Sequence, residues 1–515
     1  MNSQISRRRF LKLLSLMSAA PLLNQGLRVA EGMSKVTEGQ DSPNVLIVLF
    51  DTLSARNMSL YGYPRNTTPH LTQFAQRATV YHSHHSGGNF TPPGTASLLT
   101  GTYPWTNRAF HHAGTIAEDI IEGNLFSLFA GGNYNRLAYT DNLWVTLQLN
   151  QFREEIDDYV DPGEFCLYDG QLYDRVFPND ENTAYQSFPE LIVQAGDHQT
   201  GSLFLGLADK ARMLAHEEIL NRGYKDLYPE GLRDNNKHLC YLEAAIDGIV
   251  SLMHESPTPM FGYFHLYPPH APYTPRREFV GMFDDGWEPV AKEPHFFSHG
   301  HSDERLNEER RRYDEYIANV DAEFGRLYSS LADAGLLDNT YLLVTSDHGE
   351  MFERGILRHS TKTLFEPIIH VPLLIAKPGQ QQREDVYART SAVDVLPTLA
   401  QITGETVPAW CEGELLPGFG QNDSGTGRSV FAMDARGNPK QGPLQRATVA
   451  LTKDYHKLIH YFGYDGYESQ YELYDLQNDP EEMEDLYLSD RSVAAELQAE
   501  LDEKLQNVNQ AYVRS

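Results

Sequence analysis

The stretch Asn44-Val45-Leu46-Ile47-Val48-Leu49-Phe50 is apolar at successive positions and stops at Asp51. A strand that is apolar on both faces must be covered on both, which places it inside a mainly parallel sheet. Met260–Leu266, Tyr341–Thr345 and Val371–Ile375 read the same way. Helix-period segments lie between them. From Glu304 to Gly335 the apolar residues Tyr313, Ile317, Val320, Phe324, Leu327 and Leu331 recur three or four apart. Ala392–Ile402 is a second such segment, closed by Gly404. Strands alternating with helices predict an α/β fold: a mixed, mainly parallel central sheet with helices on both faces.

The chain length of 515 residues suits one large domain and a small one. The expected division is a catalytic domain over 43–412 with an insertion at about 123–234, a polar linker or long loop over 413–445, and a small α+β subdomain over 446–515. The last rests on three short β-like runs (Thr448–Leu451, Lys457–Phe462, Tyr471–Leu476) and a final helix from Val493 to Val508. The 71 acidic residues exceed the 42 basic ones, for a net charge of −29. Such a balance argues against a nucleic-acid groove and against docking on anionic lipid. Three cysteines, Cys166, Cys240 and Cys411, argue against a disulfide framework and form no CxxC metal knuckle.

The N-terminus reads as an address. Ser6-Arg7-Arg8-Arg9-Phe10-Leu11-Lys12 precedes a short apolar run, Leu13 to Leu23. That run is too short to span a bilayer, which takes about 20 helical residues. A charged segment before a short apolar one is the grammar of an export signal. The paired arginines are similar to a twin-arginine signal over residues 1–30. This predicts the twin-arginine export machinery as a partner, a periplasmic or extracellular location, and no stable membrane insertion.

Four segments carry chemistry. Asp51 ends the first strand, where open α/β sheets bind ligands. Thr91 stands before Pro92 and Pro93, which suit the first turn of a helix. Its hydroxyl is then either a helix cap or a group aimed at an anion. His270 sits in the proline-fixed loop Tyr267-Pro268-Pro269-His270-Ala271-Pro272-Tyr273. Asp347 and His348 follow the strand Tyr341–Thr345 in the run Ser346-Asp347-His348-Gly349-Glu350. Two carboxylates and an imidazole predict one divalent cation. Zinc or manganese fits this donor set better than calcium or magnesium. The clusters His82/His84/His85 and His111/His112 read as structural or as lining the mouth of a pocket.

Together these residues resemble the sulfatase family of the alkaline phosphatase superfamily. The likeness runs from Pro43-Asn44-Val45-Leu46 through Ser97-Leu98-Leu99-Thr100-Gly101, Pro269-His270-Ala271-Pro272 and Ser346-Asp347-His348-Gly349 to Glu472-Leu473-Tyr474-Asp475-Leu476. The resemblance implies a metal site from Asp51, Asp347 and His348, a nucleophile at Thr91 that also meets the metal, and His270, His359 and Lys362 around the substrate's charged oxygens. The chain departs from the family pattern at three points. Thr91 stands where family sulfatases carry the Cys or Ser converted to formylglycine, Thr95 stands for an Arg, and Thr52 for a second Asp.

A threonine in that place resembles instead the phosphoryl-transfer branches of the superfamily. The expectation is a metal-dependent hydrolase that cleaves a phosphate or phosphonate ester of a small or sugar-like anionic substrate through Thr91. A sulfatase working without formylglycine and a non-catalytic binding relative are the alternatives.

Overall fold

The computed structural model describes residues 42–167, 221–235, 238–420 and 427–513, with scattered positions between 211 and 218. The predicted signal segment, residues 1–30, lies outside the described residues, as does much of the second half of the expected insertion.

Eight strands form the central sheet. In chain order they are β1 (Asn44–Phe50), β2 (Thr79–Tyr81), β3 (Asn135–Thr140), β4 (Asp158–Val160), β5 (Met260–Leu266), β6 (Thr340–Thr345), β7 (Leu373–Ala376) and β8 (Glu384–Val386). Their order across the sheet is β8-β2-β7-β6-β1-β5-β3-β4. The run from β6 through β4 is parallel, and β7 alone opposes its neighbours. The mixed, mainly parallel α/β class agrees with β1, which is apolar from Val45 to Phe50 and has no exposed residue.

The two faces of β1 belong to two cores. Leu46, Val48 and Phe50 pack with α3 (Leu242–Glu255) and α4 (Asp303–Asp333). Val45, Ile47 and Leu49 pack with α1 (Thr91–Thr100), α2 (Leu143–Gln151) and α5 (Val395–Thr403). The predicted periodicity of α4 holds: Tyr313, Ile317, Val320, Phe324, Leu327 and Leu331 all enter the first core. Gly404 ends α5 with φ 75°, the left-handed conformation that glycine adopts without steric cost.

A four-stranded antiparallel sheet follows, β9 (Ser429–Asp434), β10 (Ala447–Lys453), β11 (His456–Tyr464) and β12 (Tyr467–Asp475), with α6 (Arg491–Val513) behind it. One face buries Val449, Leu451, Leu458 and Leu473 against Leu497 and Leu501 of α6. The other buries Ala450, Ile459 and Tyr461 against Phe365, Ile368 and Ile369.

Three expectations change. The span 123–234 contains β3 and β4, strands of the main sheet, so its first part belongs to the core. The span 413–445 contains β9, the edge strand of the second sheet. Its polar, glycine-rich surroundings hid a short strand. And Cys166 is joined to Cys240 in a disulfide that closes a 74-residue separation, with Cys411 left as the free thiol. An odd count excludes complete pairing only; two of three can still meet. Among the described residues no helix is long and apolar enough to cross a membrane.

Candidate active site

The parallel register assembles the site. Leu49 of β1 stands level with His265 of β5 and Thr345 of β6, and His265 stands level with Thr140 of β3. Side chains alternate along a strand, so Asp51 and Asp347, two residues beyond Leu49 and Thr345, continue the same face. That face is the one covered by α1, whose first residue is Thr91. Three carboxyl ends of strands and one helix N-terminus therefore converge at one point.

The chain leaves β1 through Thr52, which has φ 63°, uncommon for a β-branched residue. Thr52 is fully buried, and its backbone N–H donates to Asp347 Oδ1 at 3.3 Å. The His348 N–H donates to the same oxygen at 3.0 Å. Gly94 in the first turn of α1 meets this segment: a Cβ there would lie 2.2 Å from the carbonyl oxygen of Asp347. Ser86 Oγ donates to that carbonyl as well.

Asp51, Asp347 and His348 each present a ligand atom within 4.8 Å of the others, and all three are buried. His348 Nε2 is 3.6 Å from both Asp51 Oδ1 and Asp347 Oδ2. Its Nδ1 is 2.9 Å from the carbonyl of Gly349 and must carry the proton, so Nε2 turns a lone pair to the carboxylates. Thr91 Oγ1 lies 3.4 Å from that same Nε2. Thr91 does not cap α1: the cap position is Phe90, with no side-chain hydrogen bond.

His265 belongs to this group, and the sequence reading passed over it. Its Nε2 lies 3.9 Å from Asp51 Oδ2 and 3.7 Å from Asp347 Oδ2, and its Nδ1 3.2 Å from Thr140 Oγ1. A histidine next to the end of an otherwise apolar buried strand was the available signal. Asn142 was also missed. It caps α2 with its carbonyl oxygen and donates from Nδ2 to Asp51 Oδ2 at 2.6 Å.

The donor set fits a divalent cation. Asp51 Oδ1, Asp347 Oδ2 and His265 Nε2 are buried with no hydrogen-bond partner, an arrangement that costs energy unless a cation joins them. Burial, followed by the neighbouring Asp347 carboxylate, pushes Asp51 well above the usual carboxylate range. Burial opposes ionisation of Asp347 too, but His348, His265 and the Thr52 N–H outweigh it and hold that group at about 2.

A second ring of imidazoles adjoins the first. The His359 ring centroid is 4.6 Å from that of His348 and 5.0 Å from that of His270. Glu350 Oε1 accepts from the His359 backbone N–H at 2.7 Å and lies 2.7 Å from His359 Nδ1, while Tyr273 donates to Oε2 at 3.0 Å. His270 Nδ1 is 2.6 Å from the carbonyl of Ala271. Burial, then the neighbouring His359, lowers His270 to about 3; burial, then Arg436, lowers His359 to about 3; burial brings His348 to about 4. Burial thus favours the neutral form of all three rings.

Lys362 stands apart from this cluster. It is exposed, with Nζ 4.8 Å from the Phe297 ring centroid and 4.9 Å from that of Tyr464, and among the described residues it makes no ion pair with the triad. His82 and His85 pair with Asp385 and Glu366, and His84 meets Thr390, so that cluster is structural. His112 packs on Phe90, the residue before Thr91. Thr95, in place of an arginine, donates inward to the Thr91 carbonyl or to Gln148 Oε1, each at 2.7 Å.

A family model for sulfatases matches residues 43–405. The chain belongs to the sulfatase family. A second model, the C-terminal region of N-sulphoglucosamine sulphohydrolase, matches residues 358–511. The choline-sulfatase of Rhizobium meliloti is 25% identical over 398 residues, which is 72% of this chain and 70% of that relative. Among solved structures, a phosphonate monoester hydrolase of Agrobacterium radiobacter superposes with a TM-score of 0.61 at 20% identity, covering 91% of this chain and 96% of that one. A 2-O GAG sulfatase does so with a TM-score of 0.61 at 18% identity, covering 91% and 93%. The chain is thus a sulfatase-family hydrolase by family and by fold, and such likeness leaves the ester undecided.

Proposed function

We propose that this sulfatase-family hydrolase is a metal-dependent enzyme that cleaves a phosphate or phosphonate ester, with Thr91 Oγ1 as nucleophile. The observation that carries the reading is the placement of Thr91. Its hydroxyl sits at a helix N-terminus, caps nothing, and faces His348 Nε2 at 3.4 Å beside two carboxylates with unpartnered oxygens.

Asp51, Asp347, His348 and, beside the same two carboxylates, His265 would hold one divalent cation, with zinc or manganese preferred to calcium or magnesium for a set containing imidazole. Bound there, such an ion supplies positive charge that acidifies a nearby hydroxyl and offsets charge on an ester's oxygens. Thr91 Oγ1, its proton passed to solvent, attacks phosphorus in line with the leaving oxygen; the first turn of α1 adds no amide donors, since Pro92 and Pro93 have no N–H and Gly94 donates to the Phe90 carbonyl.

His359 is the proton carrier at the leaving oxygen. Its ring is neutral, Glu350 holds Nδ1, and Nε2 is left free. A substrate anion beside it raises its affinity for a proton, and the Glu350 carboxylate steadies the resulting imidazolium. That imidazolium, with His270 next to it, protonates the leaving oxygen, which departs from phosphorus on the side opposite Thr91. Water releases the phosphorylated Thr91.

A second reading, a sulfate ester cleaved at the same hydroxyl, is favoured by the name of the choline-sulfatase relative. Phenyl phosphate, phenyl phosphonate and phenyl sulfate esters assayed side by side, with metal analysis of the same sample, separate the two. Faster turnover of the sulfate would reverse the preference stated here.

Arg7 and Arg8 in Ser6-Arg7-Arg8-Arg9-Phe10-Leu11-Lys12 support twin-arginine export to the periplasm or the exterior. Changing both arginines to lysine should keep the protein in the cytoplasm.

A further inference from the structure

A cavity of about 370 Å³ adjoins the site, lined by Phe297, Lys362, Asp434, Arg436, Arg446 and Tyr464 among others. Arg436 connects the two. Its guanidinium stacks 4.6 Å from the Phe90 ring centroid, directly before Thr91, and it donates to the carbonyl of Thr361, two residues from His359. It is also the charge that acts most strongly on His359. The cavity therefore lies beside the segment that carries His359 and the residue that precedes Thr91.

Its charge runs against that of the molecule. The chain carries −29 in total, yet this wall presents three cations and one carboxylate. Asp434 is committed to Arg436, at 2.8 Å. Among the described residues neither Lys362 nor Arg446 has a carboxylate partner. Lys362 rests over Phe297 and Tyr464. Arg446 is accommodated by Gly437, where φ is +92° and a Cβ would fall 2.2 Å from Arg446 Nη2. Two cations without counter-charges, walled by two aromatic rings, make a socket for an anionic group on a small organic body.

We propose that this cavity receives the leaving group and that the leaving group carries its own anion, a carboxylate, sulfate or phosphate held by Arg446 and Lys362. This assignment rests on the reading of Thr91 as the reaction centre.

The test uses phenyl esters and their 4-carboxymethyl and 4-sulfomethyl counterparts, whose leaving groups differ in charge but little in acidity. Phosphate and sulfate series are both run. The charged substituent should raise kcat/KM about tenfold, mainly through KM, as expected of one desolvated ion contact. The advantage should shrink as salt is raised and the Debye length falls. The carboxymethyl and sulfomethyl arms tell a carboxylate-selective socket from a sulfonate-selective one. Arg446→Gln should cut the charged-to-neutral ratio several-fold, and Arg446→Gln with Lys362→Gln should bring it to about one.

Calorimetric binding of 4-hydroxyphenylacetate against phenol reads the same preference without turnover, and Thr91→Ala protein serves for it. Equal handling of neutral and charged esters, together with equal binding of the two phenols, would overturn the socket. So would a ratio that Arg446→Gln leaves unchanged. A Thr91→Ala protein that still turns over would instead overturn the nucleophile and leave the socket standing.

Discussion

Replacing Thr91 by alanine should separate catalysis from stability. The side chain is 1% exposed and its hydroxyl has one contact, the 3.4 Å approach to His348 Nε2, which is long for a hydrogen bond. The substitution therefore removes one buried methyl group, worth about 0.8 kcal/mol, and a weakly held hydroxyl. A destabilisation of about 1 kcal/mol is expected. The same change removes the attacking atom. Loss of a nucleophile lowers kcat by about 10⁴-fold or more, which corresponds to roughly 5 kcal/mol or more in the transition state. The two effects differ enough to be told apart on one preparation, by denaturant unfolding and by turnover of the best ester. Divalent metal content should persist, because Asp51, Asp347, His348 and His265 remain. Thr91→Ser keeps the oxygen and should stay within about tenfold of the parent rate. If Thr91→Ala keeps a tenth of the parent activity, Thr91 is not the nucleophile. If it loses 3 kcal/mol of stability, the hydroxyl has a structural duty that these contacts do not show.

Gly94→Ala should lower both stability and activity, since its Cβ would meet the Asp347 carbonyl; unfolding curves and metal content check this, and an unchanged variant would show that α1 and the Asp347 loop can part freely. Chelation should abolish turnover, with re-addition of zinc or manganese restoring it; full activity in metal-stripped protein would remove the cation from the scheme. Denatured, unreduced protein should show one reactive thiol, Cys411, and reduced protein three; Cys240→Ser should cost about 2–4 kcal/mol through the freed loop. Asp321, which accepts the His70 and Leu71 N–H groups, is raised by burial to about 7. Its folded value exceeds the unfolded one of about 3.9, so folding favours the protonated form. Its contribution is present below about pH 4 and is lost as pH rises to about 7. The stability of Asp321→Asn relative to the parent should therefore improve between pH 5 and pH 8, by on the order of 2–3 kcal/mol; a flat difference would contradict the raised value.

The central sheet was legible because β1, β5 and β6 are apolar on both faces, a pattern with one structural outlet. Asp51, Asp347 and His348 were visible because each interrupts such a run at its carboxyl end. His265 was hidden by the same rule: placed inside the run, it looked like core. Its meaning depends on register with Leu49 and Thr140, which pairing decides and linear sequence does not. Arg436 and Arg446 escaped for a different reason. They line the cavity beside the site from a second sheet that packs on Phe365, Ile368 and Ile369, a tertiary contact with no local signature. The pairing of Cys166 with Cys240 is likewise a property of proximity in space, which cysteine number cannot convey.

Asp51, His265 and Asp347, three of the residues proposed to hold the cation, hang from three adjacent strands drawn from the start, middle and last third of the chain. No fragment short of the whole sheet brings them together, so the unfolded chain has nothing comparable to offer a cation. Ion uptake should then act as a rivet across the middle of the sheet, driven in only after β1, β5 and β6 are aligned. Starvation for the ion would loosen the molecule from its centre outward, and its melting point would track metal supply as closely as it tracks sequence.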